Sequence, residues 1–239
     1  MKGRPEPSAA ALSVRGLAVA FGPVEVCAGI DLELPEGSVG ALVGTNGAGK
    51  SSILRALAGV IPSRGSIRLG GEEISGLPPR ARVGRGLVLA AGGRGTFSTL
   101  TVEESLALGA RQRHGPKGAV AAVEEALTLF PLLASRRRQR TGTLSAGEQQ
   151  LVTLARAVVA RPRVLLVDEL TLGLSATVAE DVGRVVAGRG NVVLVDQSIT
   201  RALGLASWAW FLARGAIGFS GPAADLAGRR DLLQPVLLG

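Results

Sequence analysis

The chain of 239 residues is 46% hydrophobic but only 3% aromatic, and this favours an α/β protein, of one large or two small domains, over an aromatic-rich β-sandwich. A single cysteine and a single histidine exclude an internal disulfide, a His/Cys zinc site and a histidine-dependent nucleophile triad. The formal net charge of +8 invites a nucleic-acid partner, but the charge is almost all scattered arginine, so no nucleic-acid partner is expected. We expect Cys27 to be a small buried hydrophobe and His114 to lie in an exposed turn.

The first part of the chain predicts short strands and one helix. Residues 1–8 carry an acid and two prolines, unlike a secretory signal, so we expect no export. Residues 12–34 alternate in short runs broken by Gly and Pro, which is typical of small antiparallel strands. An apolar strand at residues 41–43 leads into a Gly-rich turn and a helix at residues 52–60. Further strands are predicted at residues 66–69 and 87–90.

The middle of the chain changes to helical periodicity. Gly115-Pro116, Pro131 and the run of arginines that follows separate the predicted helices. The three helices are predicted at residues 101–111, 119–130 and 145–160. This pattern indicates a helical insert in an α/β domain.

The last part of the chain has the pattern of a parallel sheet. Continuous apolar runs at residues 164–167 and 192–195 flank a helix at residues 177–187, which is the order strand, helix, strand. From Trp208 onward we predict two edge strands and short terminal helices, with Trp208 and Trp210 packed rather than stacked on bases. The longest apolar stretch, residues 202–213, has about a dozen residues, fewer than the roughly 20 that span a bilayer.

The turn after the strand at residues 41–43 matches the P-loop pattern Gly-x-x-x-x-Gly-Lys-Ser in its expected place between strand and helix. In such a loop the N–H groups wrap the β-phosphate, while Lys50 reaches the β- and γ-oxygens and Ser51 ligates Mg²⁺. A Gly-rich turn that only caps a helix does not explain the lysine. We therefore predict a nucleotide site that comprises Gly44, Thr45, Asn46, Gly47, Ala48, Gly49, Lys50, Ser51 and Ser52.

Two acids, Asp168 and Glu169, follow the apolar run at residues 164–167 directly. A parallel strand delivers its carboxyl end to the ligand crevice of an open α/β sheet. By themselves two such acids could cap a helix, but together with a P-loop they indicate a cation and a reacting water. We predict Asp168 as a metal ligand and Glu169 as the general base that orients the attacking water.

The stretch Thr143-Leu-Ser-Ala-Gly-Glu-Gln-Gln150 has two interpretations. Ser145 with Glu148 three residues later forms a capping box at a helix start. The small residues Ala146 and Gly147 also expose helix N–H groups, which can bind phosphate. The local sequence does not choose between these interpretations.

The order of these motifs resembles the ATP-binding-cassette (ABC) ATPases, whose signature reads LSGGQ. The resemblance implies ATP and Mg²⁺ as cofactors and a dimer with two ATP molecules sandwiched head to tail. The signature residues Ser145, Ala146 and Gly147, with Glu148, would contact the γ-phosphate held by the P-loop of a second subunit. The resemblance also implies that Phe21 stacks on adenine and that Gln197 takes the switch-histidine position, where an amide can hydrogen-bond the γ-phosphate.

Finer motifs resemble one branch of this family, the second ATPase subunit of branched-chain amino-acid importers, a group that also serves urea and short amides. They include Phe97-Ser-x-Leu-Thr-Val-Glu-Glu104, Leu172-Gly-Leu174 and the final Leu238-Gly239. This resemblance implies a nucleotide-binding core at residues 1–97 and 151–239 and a helical subdomain at 98–150 that grips transmembrane permease subunits. The second ATPase would be a sister chain or an identical one, at the cytoplasmic face of the membrane, with an extracytoplasmic solute-binding protein as an indirect partner.

Some positions depart from the family pattern. Gly92 stands where the Q-loop acid or amide is expected, Leu170 replaces a proline, and Ala146 replaces a signature glycine. These departures favour slower hydrolysis. Gly92 and Ala146 also support an alternative, a regulatory or scaffold cassette that binds ATP and dimerises with little turnover. A DNA-repair or ribosome-associated cassette would use the basic charge, but it would need long coiled coils or a second cassette.

Overall fold

The computed structural model describes residues 10–92 and 96–237, which form two β-sheets with helices packed around them. The expectations for residues 1–8 and for Leu238-Gly239 lie outside the described residues. The antiparallel sheet contains β1 (Ala10–Phe21), β2 (Val24–Pro35), β4 (Arg64–Leu69) and β5 (Glu72–Glu73). The second sheet contains β3 (Val39–Gly44), β6 (Leu87–Ala90), β7 (Val164–Val167), β8 (Val192–Leu194), β9 (Trp208–Ala213) and β10 (Ala216–Pro222). The helices are α1 (Lys50–Leu57), α2 (Pro79–Arg85), α3 (Val102–Leu129), α4 (Pro131–Ala134), α5 (Ala146–Val159), α6 (Ala176–Ala187), α7 (Ile199–Leu205), α8 (Ala223–Ala227) and α9 (Arg230–Leu237).

The second sheet has the strand order β10-β9-β3-β8-β7-β6, and each neighbouring pair is parallel except β10 with β9. Strands β3, β7 and β8 are buried over their whole length, as expected of continuous apolar runs covered on both faces. The predicted fold class, a mainly parallel sheet with a small antiparallel sheet and helices, is therefore confirmed. The parallel strands also bring their carboxyl ends to one edge, where the predicted motifs begin.

One hydrophobic core lies on each face of this second sheet. Because side chains alternate along a strand, Leu165 and Val167 of β7 pack with α3 and α5, whereas Val164 and Leu166 pack with α1 and the antiparallel sheet. Cys27 is buried in the latter core, and burial raises the pKa of its thiol. The expectation of a small buried hydrophobe at this position is confirmed.

The prediction of two edge strands after Trp208 is wrong for the first of them. Strand β10 lies at the edge, but β9 lies inside the sheet between β10 and β3. The physical reason is that β9 is apolar on both faces, and Trp210 is fully buried. Its ring packs on Gly40 of β3, where a Cβ would lie 2.3 Å from a ring carbon. The expected packing role of Trp210 is confirmed.

The helices of the insert follow the predicted order. Helix α3 begins after Thr101, whose side chain forms a capping box with Glu104, and it is interrupted at Gly115 (φ 65°, ψ 178°), the predicted break. Helix α4 begins at Pro131, and α5 begins after Ser145. None of the helices in the described residues combines the length and the apolar character that crossing a bilayer requires.

The expectation that His114 lies in an exposed turn is wrong. The side chain is half-buried, and its Nε2 lies 3.0 Å from the carbonyl oxygen of Val159. The reason is that α3 packs along α5, so the residue before the break at Gly115 meets the last residue of α5.

Arg82 anchors the carboxyl end of α1, the helix that follows the P-loop. The side chain is buried, and its Nη1 donates to the carbonyl oxygens of Ala56 at 2.9 Å and Leu57 at 2.7 Å. Nε donates to the carbonyl of Leu77 at 2.9 Å. These carbonyls of α1 belong to its last turn, where a positive charge is favourable. Burial lowers the pKa of the Arg82 guanidinium.

We expect Arg82→Met to lower the free energy of unfolding by about 3 kcal/mol, because it removes a charged donor from several backbone carbonyls at the end of α1 and in the loop before α2. Urea unfolding measures this difference. Arg80→Met is the matched control, since Arg80 is exposed on the same helix, and a change of only about 0.5 kcal/mol is expected there. Equal unfolding midpoints for the two variants would contradict the anchoring role.

Candidate functional site

A cleft of about 740 Å³ opens at the carboxyl edge of the second sheet. It is lined by the loop between β3 and α1, by Glu169 after β7 and by Gln197 after β8. Of the predicted nucleotide-binding residues, those in its wall are Gly44, Asn46, Gly47, Gly49, Lys50, Ser51 and Ser52. The fold therefore brings the P-loop, the predicted general base Glu169 and the predicted switch residue Gln197 to the same cleft.

The loop between β3 and α1 packs closely against the neighbouring strands β9 and β2. A Cβ at Gly44 would lie 2.1 Å from the carbonyl oxygen of Leu212, and a Cβ at Gly49 would meet Val26 at 2.9 Å. Gly49 is the N-cap of α1 with a left-handed φ of 103°, and no side chain caps the helix. The first N–H groups of α1 are thus presented toward the cleft at the positive end of the helix dipole, an arrangement suited to phosphate.

Lys50 folds back over the same loop. Its Nζ donates to the carbonyl oxygens of Gly44 at 2.8 Å and Thr45 at 2.7 Å. Burial lowers the pKa of the Lys50 ammonium, and the nearby charge of Asp168 opposes this shift. The ammonium is therefore held in the wall of the cleft by acceptors that belong to the loop itself.

Ser51 and Asp168, the two predicted metal ligands, are in direct contact. The Ser51 hydroxyl donates to Asp168 Oδ1 at 2.8 Å, and Arg55 Nη2 lies 3.8 Å from Asp168 Oδ2. Within residues 10–92 and 96–237 no group of three or more His, Cys, Asp or Glu side chains could hold a metal ion. The two oxygen ligands fit Mg²⁺, which usually takes one or two protein ligands and completes its shell with water and phosphate oxygens.

Glu169 has a strained backbone. Its φ of 56° is in the left-handed region, which costs a residue with a side chain roughly 1–3 kcal/mol. The Gln150 side chain from α5 donates from Nε2 to the Glu169 carbonyl oxygen at 2.8 Å. A Cβ at Gly92 would lie 2.9 Å from the Asp168 carbonyl oxygen and 2.9 Å from Glu169 Cβ. Gly92, the departure at the Q-loop position, thus lies against the predicted general base.

The start of α5 is capped as predicted. Glu148 N donates to Ser145 Oγ at 3.3 Å, and Ser145 N donates to Glu148 Oε2 at 2.9 Å. The Ser145 backbone N–H is the main cause that lowers the pKa of Glu148, with a further contribution from Arg136 at 3.1 Å. Ser145 and Ala146 are exposed, whereas Gly147 is buried. A Cβ at Gly147 would lie 2.3 Å from the carbonyl oxygen of Gly173, so the helix start packs closely on the turn after Glu169.

The cleft leaves out some predicted residues and includes a contact that sequence reasoning missed. Within the described residues its wall does not contain the signature residues or Phe21, which is half-exposed at the end of β1.

Asp196, beside Gln197, is buried and accepts hydrogen bonds from Thr171 Oγ1 at 2.7 Å and Ser198 N at 2.8 Å. Asp196 therefore ties the end of β8 to the turn that follows Glu169. An acid directly after an apolar strand was the signal available for it.

The family model described as "ABC transporter" matches residues 27–172. The chain belongs to the ABC transporter family. It is 36% identical over 211 residues to the high-affinity branched-chain amino acid transport ATP-binding protein BraG of Pseudomonas aeruginosa, covering 86% of this chain and 90% of that protein. It is 34% identical over 203 residues to the probable branched-chain amino acid transport ATP-binding protein LivF of Archaeoglobus fulgidus, covering 82% and 86%.

A solved structure confirms the cassette fold. The structure of cbiO1 from Clostridium perfringens, part of the ABC transporter complex cbiONQ, superposes with a TM-score of 0.78 at 21% identity, over 97% of this chain and 96% of that one. The chain is therefore an ATP-binding cassette, the ATPase component that the family couples to transport.

The contact of Gly147 with Gly173 predicts a difference between two glycines of the cassette. Gly147→Ala should lower the free energy of unfolding by about 1–3 kcal/mol, because the new methyl group forces the start of α5 away from Gly173. Gly204→Ala in α7 is the matched control, since its Cβ would meet nothing within 4 Å and alanine favours the helix. Urea unfolding of both variants checks this, and equal losses of stability would be the contrary result.

Proposed function

We propose that this cassette binds Mg²⁺-ATP and hydrolyses it to energise an importer for branched-chain amino acids or related small polar solutes. The observation that carries the proposal is a cleft lined by both the P-loop and Glu169, in whose wall Ser51 is hydrogen-bonded to Asp168. The printed functions of BraG and LivF support the class of solute.

In this proposal the P-loop residues hold the phosphates. The N–H groups at the start of α1 bind the β-phosphate, and Lys50 leaves the carbonyls of Gly44 and Thr45 to reach the β- and γ-oxygens. Phe21 stacks on the adenine ring. Ser51 and Asp168 would hold Mg²⁺, which neutralises charge on the phosphates when bound.

Hydrolysis then uses the residues at the far end of the triphosphate. Glu169 accepts a proton from the attacking water, while the bond between the γ-phosphorus and the bridging oxygen breaks to give ADP and phosphate. The Gln197 amide donates a hydrogen bond to the γ-phosphate. The signature residues of a second subunit, at Ser145, Ala146, Gly147 and Glu148 if it is an identical chain, close the site from outside.

The proposed assembly places the cassette at the cytoplasmic face of a membrane. Its partner is a sister ATPase subunit or a second copy, and the helical segment at residues 98–150 contacts the permease subunits. A solute-binding protein outside the cell acts through those permeases. A regulatory cassette with little turnover is the second candidate, and it is favoured by the missing side chain at Gly92, which lies directly against Glu169.

Lys50→Ala should abolish ATP binding or weaken it by at least about tenfold, because a charged donor to phosphate is lost from the loop. Displacement of a fluorescent ATP analogue measures the dissociation constant. Lys117→Ala is the charge-matched control, since Lys117 is exposed on α3, and it should bind as the parent chain does. Unchanged affinity in Lys50→Ala would refute the assigned role.

Glu169→Gln should lower turnover by roughly 10²- to 10⁴-fold, because an amide cannot act as the base, and it should trap an ATP-bound dimer. Phosphate release and gel filtration with ATP measure the two effects. Glu180→Gln, an exposed position on α6, is the control for charge. A low turnover in the parent chain, even with permeases present, would favour the regulatory cassette.

A further inference from the structure

The backbone at Glu169 needs an explanation that the catalytic role of its carboxylate does not supply. A left-handed conformation at a residue with a side chain persists only where the surroundings hold it. In this structure the Gln150 side chain bonds the Glu169 peptide, and the Gly92 backbone lies close to it. Gln150 belongs to the signature helix α5 and Gly92 follows β6, so two separate elements meet at this peptide.

Gln150 reaches the peptide from α5. The residue is 1% exposed, and it lies on a buried helix face whose other members include Leu151 and Leu154. Its Nε2 donates to the Glu169 carbonyl oxygen at 2.8 Å. Breaking this bond would deprive the buried Gln150 amide and the part-buried Glu169 carbonyl of this contact. The bond therefore constrains the Glu169 peptide.

Gly92 limits the peptide by close approach. The position of a Cβ at Gly92 lies 2.9 Å from Glu169 Cβ and 3.1 Å from Glu169 Oε2. Both distances are shorter than ordinary van der Waals contact, so a side chain at residue 92 would displace the carboxylate. Because residue 92 is a glycine, the Glu169 side chain has room for its observed position.

We infer that Gln150 is a positioning residue for ATP hydrolysis, which holds the left-handed Glu169 peptide so that the Glu169 carboxylate points into the cleft. The inference rests on the proposed role of Glu169 as general base. The glycine at residue 92 is the second condition for the same placement. The bond from Gln150 goes to a backbone oxygen, so it persists whatever side chain stands at residue 169.

The test is Gln150→Leu in the 239-residue chain, with phosphate release measured at saturating Mg²⁺-ATP. We expect kcat to fall roughly tenfold to a hundredfold, because a small displacement of a catalytic group has effects of that size, while the dissociation constant for ATP stays within about twofold. Thr153→Val is the matched control. It removes a buried hydroxyl one turn later on α5 whose bond stays within the helix, and it should keep the parent kcat.

Two further variants separate loss of positioning from loss of fold. Gly92→Ala places a methyl group against the Glu169 peptide from the segment after β6, and it should lower kcat with little effect on ATP binding. Adding Gln150→Leu to Glu169→Gln should leave the ATP-bound dimer unchanged, since the carboxylate that Gln150 positions is already absent. A loss of dimer in that double variant would assign Gln150 to folding or dimerisation and overturn the inference.

The remaining outcomes distinguish the inference from the proposed function. If Gln150→Leu and Gly92→Ala both keep the parent kcat while Glu169→Gln loses turnover, the positioning role is refuted and the proposed function stands. If Glu169→Gln itself keeps the parent turnover, the role of Glu169 fails and the positioning role fails with it.

Discussion

The cleft depends on one hydrogen bond, from the Ser51 hydroxyl to Asp168 Oδ1, between residues 117 positions apart in the chain. The contact forms because β3 and β7 belong to the same parallel sheet and end at the same edge. A buried carboxylate is costly unless it is hydrogen-bonded, and α1 supplies both Ser51 and the more distant Arg55. The bond therefore fixes the helix after the P-loop against the strand that carries the acids.

Helix α5 makes two contacts with the turn that follows β7, and a third with Phe97. Gly147 packs on Gly173, Gln150 bonds the Glu169 peptide, and the Arg156 guanidinium lies 5.1 Å from the centre of the Phe97 ring. Close-packed contacts transmit displacement because the neighbouring atoms have no space to absorb it. A movement of the start of α5 therefore reaches the turn after β7 through backbone and buried side-chain contacts. The same helix presents Ser145 at the surface of the chain.

Much of the fold and of the cleft follows from local patterns. The P-loop glycines, the apolar runs of the parallel sheet and the capping box at Ser145 each need only a few neighbouring residues, and the sequence predicts them. The inner position of β9 depends on the fit of Trp210 to Gly40, and Gln150 meets Glu169 across 19 positions. Arg82 bonds the carbonyl of Ala56 across 26 positions. Only the tertiary structure chooses the partners of these residues, because the partners are far apart in the chain.

The two interpretations of the stretch around Ser145 are compatible. The capping box satisfies Glu148 N and Ser145 N, and the first intrahelical bond of the helix is from Gln149 N to the Ser145 carbonyl. The N–H groups of Ala146 and Gly147 precede this bond, and helix ends of this kind attract anions. The Glu148 carboxylate opposes a phosphate there, but Arg136 at 3.1 Å compensates its charge. The proposed contact with a phosphate held by another chain is therefore compatible with a complete helix cap, because the charge that would repel the phosphate is already paired.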